Sequence, residues 1–150
     1  MITVRPPIFD FDDAFFWEGA KEHRLLIQQC GDCGRLRHPP TPMCPSCGSL
    51  DNRSIESAGN GSILTWIVSR HPTQPDSDPR IVILVQLDEG TRIVSNLIDV
   101  DVNTVLDADP PVIRNGARVA VTFVDHDGTV LPQFRLTPEA GTGDADGAAR

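Results

Sequence analysis

The sequence predicts a mainly β protein in three parts: a short N-terminal helix, a small ribbon pinned by metal, and a closed barrel of five strands. Three observations predict it. All four cysteines fall into two Cys-x-x-Cys pairs, Cys30–Cys33 and Cys44–Cys47. From Gly59 onward, five short runs rich in branched aliphatic residues alternate with turns built on Gly, Asp and Asn. Ahead of both lies an aromatic cluster, Phe15-Phe16-Trp17, behind aspartates suited to helix capping.

In chain order, residues 1–11 carry Pro6 and Pro7 and read as extended. Asp12 or Asp13 caps a helix running from Ala14 to His23. Its three adjacent aromatics exceed one narrow apolar stripe. They read either as a face packed on the ribbon or barrel, or as anchors for a partner, since aromatics dominate binding hot spots. Leu25 to Gln29 is a strand entering the first cysteine pair, and Arg35 to His38 leaves it. Pro39, Pro40 and Pro42 stiffen the crossing to the second pair, and Leu50 to Ser57 is a further strand. This order of strands and knuckles is that of a rubredoxin-like zinc ribbon. His38 lies between the knuckles and, with four cysteines available, reads as a surface residue and not as a ligand.

The spacing of the cysteines carries the chemistry. Two residues between thiolates let both approach one ion at about 2.3 Å with a relaxed turn. Gly34 and Gly48 follow the second cysteine of each pair, where positive φ turns backbone N–H groups toward sulfur. Two disulfides or a redox dithiol are the alternatives. The residues ahead of the cysteines do not read as a secretory leader, so a reducing setting is the expectation, and a thioredoxin-type site would sit in a βαβ pattern that is missing here. Four thiolates leave zinc no open position, so Zn2+ is expected to be structural, contributing on the order of 10 kcal/mol to folding.

Beyond Gly59, Ser62–His71 is a β run and 72–79 a proline-broken loop. Ile81–Leu87 and Thr91–Ile98 form a hairpin about Asp88-Glu89-Gly90, whose carboxylates read as turn-setting and solubilising. One helical turn is expected around Val102–Leu106. Ala117–Val124 and Thr129–Leu136 supply the last two strands, joined by a tight turn in which His126 reads as solvated. Five strands with a long connection between the third and fourth suggest a Greek-key barrel of the OB type. The segment after Leu136 lacks apolar periodicity and reads as a disordered tail. The expected divisions are 1–24 for the leading segment and helix, 25–57 for the ribbon, 58–137 for the barrel and 138–150 for the tail.

The 150 residues are 39% hydrophobic, enough for a modest core, and no apolar run reaches the roughly 20 residues that cross a bilayer. A cytoplasmic location without membrane attachment is the expectation. A net charge of −8 argues against nucleic acid, where Lys and Arg supply most of the affinity. No catalytic residues are assigned. The cysteines are committed to metal, no nucleophile elbow or phosphate-cradling glycine loop is present, and the histidines are scattered.

These residues together resemble the acyl-CoA-associated zinc-ribbon/OB-fold family, long catalogued as a domain of unknown function. The resemblance is carried by Phe15-Phe16-Trp17-Glu18 and by His38-Pro39-Pro40 before Cys44-Pro45-Ser46-Cys47-Gly48. It continues through Gly59-Asn60-Gly61-Ser62-Ile63-Leu64-Thr65-Trp66, the hairpin Leu84 to Arg92, Val94-Ser95-Asn96-Leu97 and Leu131-Pro132-Gln133-Phe134-Arg135. It spans residues 12 to 137. It implies an accessory subunit of a thiolase-superfamily enzyme acting on acyl-CoA, in particular a retro-aldol lyase of steroid side-chain degradation. A condensing thiolase or acyltransferase complex is the alternative. On this reading Phe15, Phe16 and Trp17 are candidate partner contacts. Arg70, His71, Arg80 and Arg92 are candidate contacts to coenzyme A phosphates, through arginine's preference for phosphate. Two readings from other classes are a nucleic-acid-binding ribbon/OB module and an acyl-CoA enzyme that works unaided.

Overall fold

The computed structural model describes residues 8, 10–70, 73, 78–107 and 112–138. His71, most of the 72–79 loop and the tail beyond Pro138 lie outside the described residues.

Helix α1 spans Ala14–Lys21 behind Asp13, with Lys21 in the last turn, where a cation favours the helix dipole. The Asp13 side chain does not cap the helix. One carboxylate oxygen accepts the Asp10 N–H at 2.7 Å and the other the Trp17 indole N–H at 3.2 Å. The aspartate therefore fixes the turn before the helix and the indole of its first turn. Phe16, Gly19 and Ala20 face inward.

The ribbon sheet is antiparallel in the order β2-β1-β3, from β1 (Leu25–Cys30), β2 (Leu36–Arg37) and β3 (Asn52–Ser57). Leu25 pairs with Ser57 at one end of β1 and Cys30 with Asn52 at the other. Leu25 and Ile27 point into the core, while Gln28 is buried as well, on the opposite face.

Two residues separate β3 from the barrel. At Gly59 the chain takes φ +76°, and an added Cβ would lie 2.1 Å from Val121 Cγ1, so glycine alone fits this corner. The barrel comprises β4 (Asn60–Ser69), β5 (Arg80–Leu87), β6 (Arg92–Leu97), β7 (Arg118–His126) and β8 (Thr129–Leu136), with the short helix α2 (Val102–Asp107) between β6 and β7. It is closed in the order β4-β5-β6-β8-β7. Every neighbouring pair is antiparallel except β6 and β8, which run parallel and meet at Leu97 and Phe134. That closure is the OB topology, and it leaves no open sheet edge.

Strand β5 alternates strictly, with Ile81, Ile83, Val85 and Leu87 buried. Phe134 and Ile63 are fully buried opposite them. Phe16, Leu25 and Ile27 belong to the same apolar cluster, so helix, ribbon and barrel share one core. Among the described residues, no helix is long and apolar enough to cross a membrane.

Candidate metal centre and adjoining clefts

The two knuckles repeat one backbone pattern. Cys30 N–H donates to Arg35 O and Gly34 N–H to Cys30 O; Cys44 N–H donates to Ser49 O and Gly48 N–H to Cys44 O. Gly34 and Gly48 adopt φ +73° and +76°. The glycine N–H groups thus close the turn on a carbonyl and do not reach sulfur as the sequence suggested. In the first knuckle the donor to sulfur is one residue earlier, Cys33 N–H on Cys30 Sγ at 3.5 Å.

The four Sγ atoms all lie within 4.8 Å of one another, with Cys30–Cys47 and Cys33–Cys44 each at 3.6 Å. A tetrahedral ion with Zn–S bonds of about 2.3 Å sets its sulfurs about 3.8 Å apart. A disulfide requires about 2.05 Å, and all four cysteines are unpaired. Cys30 and Cys44 are buried while Cys33 and Cys47 face outward. N–H donation from Cys33 holds the Cys30 thiol down to about 6. Donation from the Ser46 N–H lowers Cys44. At Cys47 the Ser49 N–H favours the thiolate, but the neighbouring thiols and desolvation outweigh it and push the group up to about 12. Four thiolates cannot gather here without a cation, and the cluster fits Zn2+. All four positions being cysteine, such an ion would cross-link the knuckles and leave no place for substrate.

A polar network takes the place of an apolar core under the knuckles. Arg37 is 7% exposed. Its Nε donates to Gln28 Oε1 at 2.8 Å and its Nη2 to Asn52 Oδ1. Gln28 Oε1 also accepts the Thr41 N–H at 2.9 Å, and Asn52 donates to Pro42 O at 2.8 Å. This network ties all three ribbon strands to the proline crossing. The sequence reading missed it, because Arg and Gln in short strands ordinarily mark solvent. The signal was the position of Arg37 on a two-residue strand between a knuckle and three prolines.

His38 is no metal ligand, but neither is it a surface residue as expected. Its ring lies 4.9 Å from that of Phe16, and Nδ1 is buried. Burial lowers its pKa to about 4, so the imidazole is neutral. His126 is half-buried, with Nε2 3.4 Å from Gln133 Oε1. Asp88 and Glu89 do more than set a turn. Asp88 receives a bidentate pair from Arg118 at 2.6 and 2.8 Å, which lowers its pKa and ties the hairpin to β7. Glu89 Oε1 accepts the Ala58 N–H at 2.7 Å and so grips the junction of ribbon and barrel.

Of the three aromatic candidates, Phe16 is 5% exposed and belongs to the core, so it offers no contact to a partner. Phe15 and Trp17 are half-buried against that core. Trp17 lines a cleft of about 330 Å3 together with Pro39, Pro40, Val94 and Pro132. Of the four candidates for phosphate contact, His71 lies outside the described residues, and the three described arginines do not gather at one mouth. Arg70 follows β4 beside Arg80, whose partner is Ser69. Arg92 pairs with Gln86 at the far end of β5, roughly 20 Å away at the rise of an extended strand. Arg80 lines one cleft and Arg92 another, so no single phosphate reaches both.

Comparison with known proteins agrees with this architecture. Residues 17–53 match the family model of the ChsH2 rubredoxin-like zinc ribbon domain, and residues 54–124 that of the ChsH2 C-terminal OB-fold domain. A probable enoyl-CoA hydratase alpha subunit of Thermomonospora curvata is 42% identical over 89% of the chain and 40% of its own length. The 3-oxo-4,17-pregnadiene-20-carboxyl-CoA hydratase alpha subunit of Mycobacterium tuberculosis is 36% identical over 76% of the chain and 34% of its own length. The chain therefore spans well under half of these relatives. A solved chain of the Ltp2-ChsH2(DUF35) aldolase superposes with a TM-score of 0.74 and 40% identity, covering 87% of this chain and 98% of that one. With the ribbon and the barrel both matched and the fold shared over 87% of the chain, the chain belongs to the DUF35 family in its ChsH2 form, a rubredoxin-like zinc ribbon continuous with an OB fold.

Proposed function

We propose that this chain is a non-catalytic subunit that binds and supports a thiolase-like enzyme acting on acyl-CoA thioesters. Its favoured partner is a retro-aldol lyase of steroid side-chain degradation. The observation that carries this reading is the likeness to a chain of a named two-part aldolase, nearly complete over that chain. The printed substrate of the mycobacterial relative, a pregnadiene carboxyl-CoA, supports a steroid thioester. The geometry supports the division of labour. The four thiols fit a closed structural Zn2+ site at Cys30, Cys33, Cys44 and Cys47. Among the described residues, His38 is neutral and packed on Phe16, and Asp88 is engaged by Arg118.

The ion would supply a cross-link and no bond-making chemistry. The chain's own contribution would be a rigid platform, with the partner holding the reacting groups and coenzyme A bound at their shared boundary. Four unpaired cysteines suit a reducing, cytoplasmic setting. The nucleic-acid reading gains no support from a chain of charge −8.

Co-expression tests the proposal. A thiolase-like protein produced together with this chain should co-elute with it and lose solubility or activity when produced alone. Full solubility and activity without this chain would remove the reading.

A further inference from the structure

The outer face of the barrel's first three strands is unlike the rest of the molecule. Cross-strand pairing fixes which side chains share it. Leu84 pairs with Thr65 on one side and Val94 on the other; Val82 pairs with Ile67 and Asn96; Gln86 pairs with Arg92 and Ser62. Their neighbours Ile81, Ile83, Val85 and Ile93 are buried, so this set points outward. Val94, Leu84, Val82 and Ile67 form a diagonal aliphatic strip, with Val94 64% and Ile67 61% exposed. Across the whole of β4, β5 and β6 the charged side chains are Arg80 and Arg92 alone, and they stand at opposite ends of the strip. In a chain 23% charged with a net charge of −8, an outward face with no carboxylate is anomalous.

The strip is continuous with the cleft below α1, because Val94 lines both. In OB folds this region, strands two and three, holds oligonucleotides through basic groups and stacked aromatics. Branched aliphatics here offer a base nothing to stack on. They suit a protein surface, in which a dry apolar centre is ringed by polar contacts.

We propose that this face docks a protein partner whose contact patch is aliphatic at its centre and carries carboxylates at two ends, roughly 20 Å apart, to meet Arg80 and Arg92. The assignment rests on reading the chain as a subunit, and it names the partner as the thiolase-like protein. The apolar strip supplies the affinity, while the two cations set orientation and rate of encounter. The acidic remainder of the chain repels the same partner elsewhere, which makes docking selective for this side.

The test uses the full chain and the purified thiolase-like protein, with affinity measured at low and high salt. Val94→Asp should weaken binding by about tenfold or more. The double change Arg80→Glu and Arg92→Glu should weaken it by about tenfold at low salt and clearly less at high salt. Leu106→Asp, at another exposed apolar position, on α2, serves as the control and should change binding less than about twofold. Each variant must keep its metal content and melting temperature, which the exposure of these positions permits. A complex that ignores the Val94 and arginine variants would overturn the face and leave the subunit reading standing. Absence of any complex with the unaltered chain would overturn both. Equal loss in the Leu106 control would also overturn the face.

Discussion

The ribbon and the barrel are both antiparallel sheets meeting at one glycine corner, yet different forces hold them. In the barrel, strict alternation on β5 sends Ile81, Ile83, Val85 and Leu87 inward against Ile63 and Phe134. Burial of such side chains contributes about 25 cal/mol per Å2 of apolar surface. In the ribbon, β2 has two residues and β3 buries only Ser57. What lies beneath the knuckles is Arg37 bonded to Gln28 and Asn52, beside four thiols. Hydrogen bonds of this kind give about 1 kcal/mol each and are costly when broken. The ribbon depends on a cation and on a buried polar network; the barrel depends on neither.

The largest expected effect separates them by metal. A strong chelator, or Cys44→Ser, should remove the ion and with it stabilisation on the order of 10 kcal/mol. Amide exchange measured by mass spectrometry should then rise steeply across β1 to β3, with much smaller changes in β5 and β6. Uniform loss of protection would show that the shared core makes the two regions one unit. The converse is Phe134→Ala in the barrel. It should lower stability by about 3–5 kcal/mol in thermal or denaturant melts. The folded fraction should still bind one ion per chain.

A smaller effect comes from the boundary. Burial holds the folded-state pKa of His38 near 4, below its ordinary value of 6.5. The unfolded chain therefore takes up a proton first on acidification. The neutral ring's contribution is intact above pH 6.5 and is lost as pH falls toward 4, amounting to about 3 kcal/mol or less. A histidine NMR titration should place this midpoint near 4; a midpoint near 6.5 would mean the ring is solvated. The smallest effect is Arg118→Ala. This exposed pair with Asp88 should shift the melting temperature slightly, and less still in added salt.

Much of the molecule was legible in its residues. Period-two runs bounded by Gly, Asn and Asp gave all five barrel strands, because burial on one face imposes that period. The knuckles were legible because metal geometry dictates their spacing. What escaped was tertiary. Nothing local marks Arg37 as buried, since the residues it bonds lie nine and fifteen positions away. Asp88 and Arg118 are thirty residues apart and meet only because the barrel closes. Phe16 joined the core while Trp17 stayed at a cleft, a choice made by packing and not by composition. Arg80 and Arg92 were grouped as candidate contacts to one ligand, but a strand's length keeps them apart.

The most direct test of the subunit account is turnover of a steroid-derived aldol acyl-CoA thioester by three preparations: this chain alone, the thiolase-like protein alone, and the two together. The account predicts cleavage by the mixture, none by this chain, and little by the partner alone. Cleavage by the metal-loaded chain in isolation would contradict it.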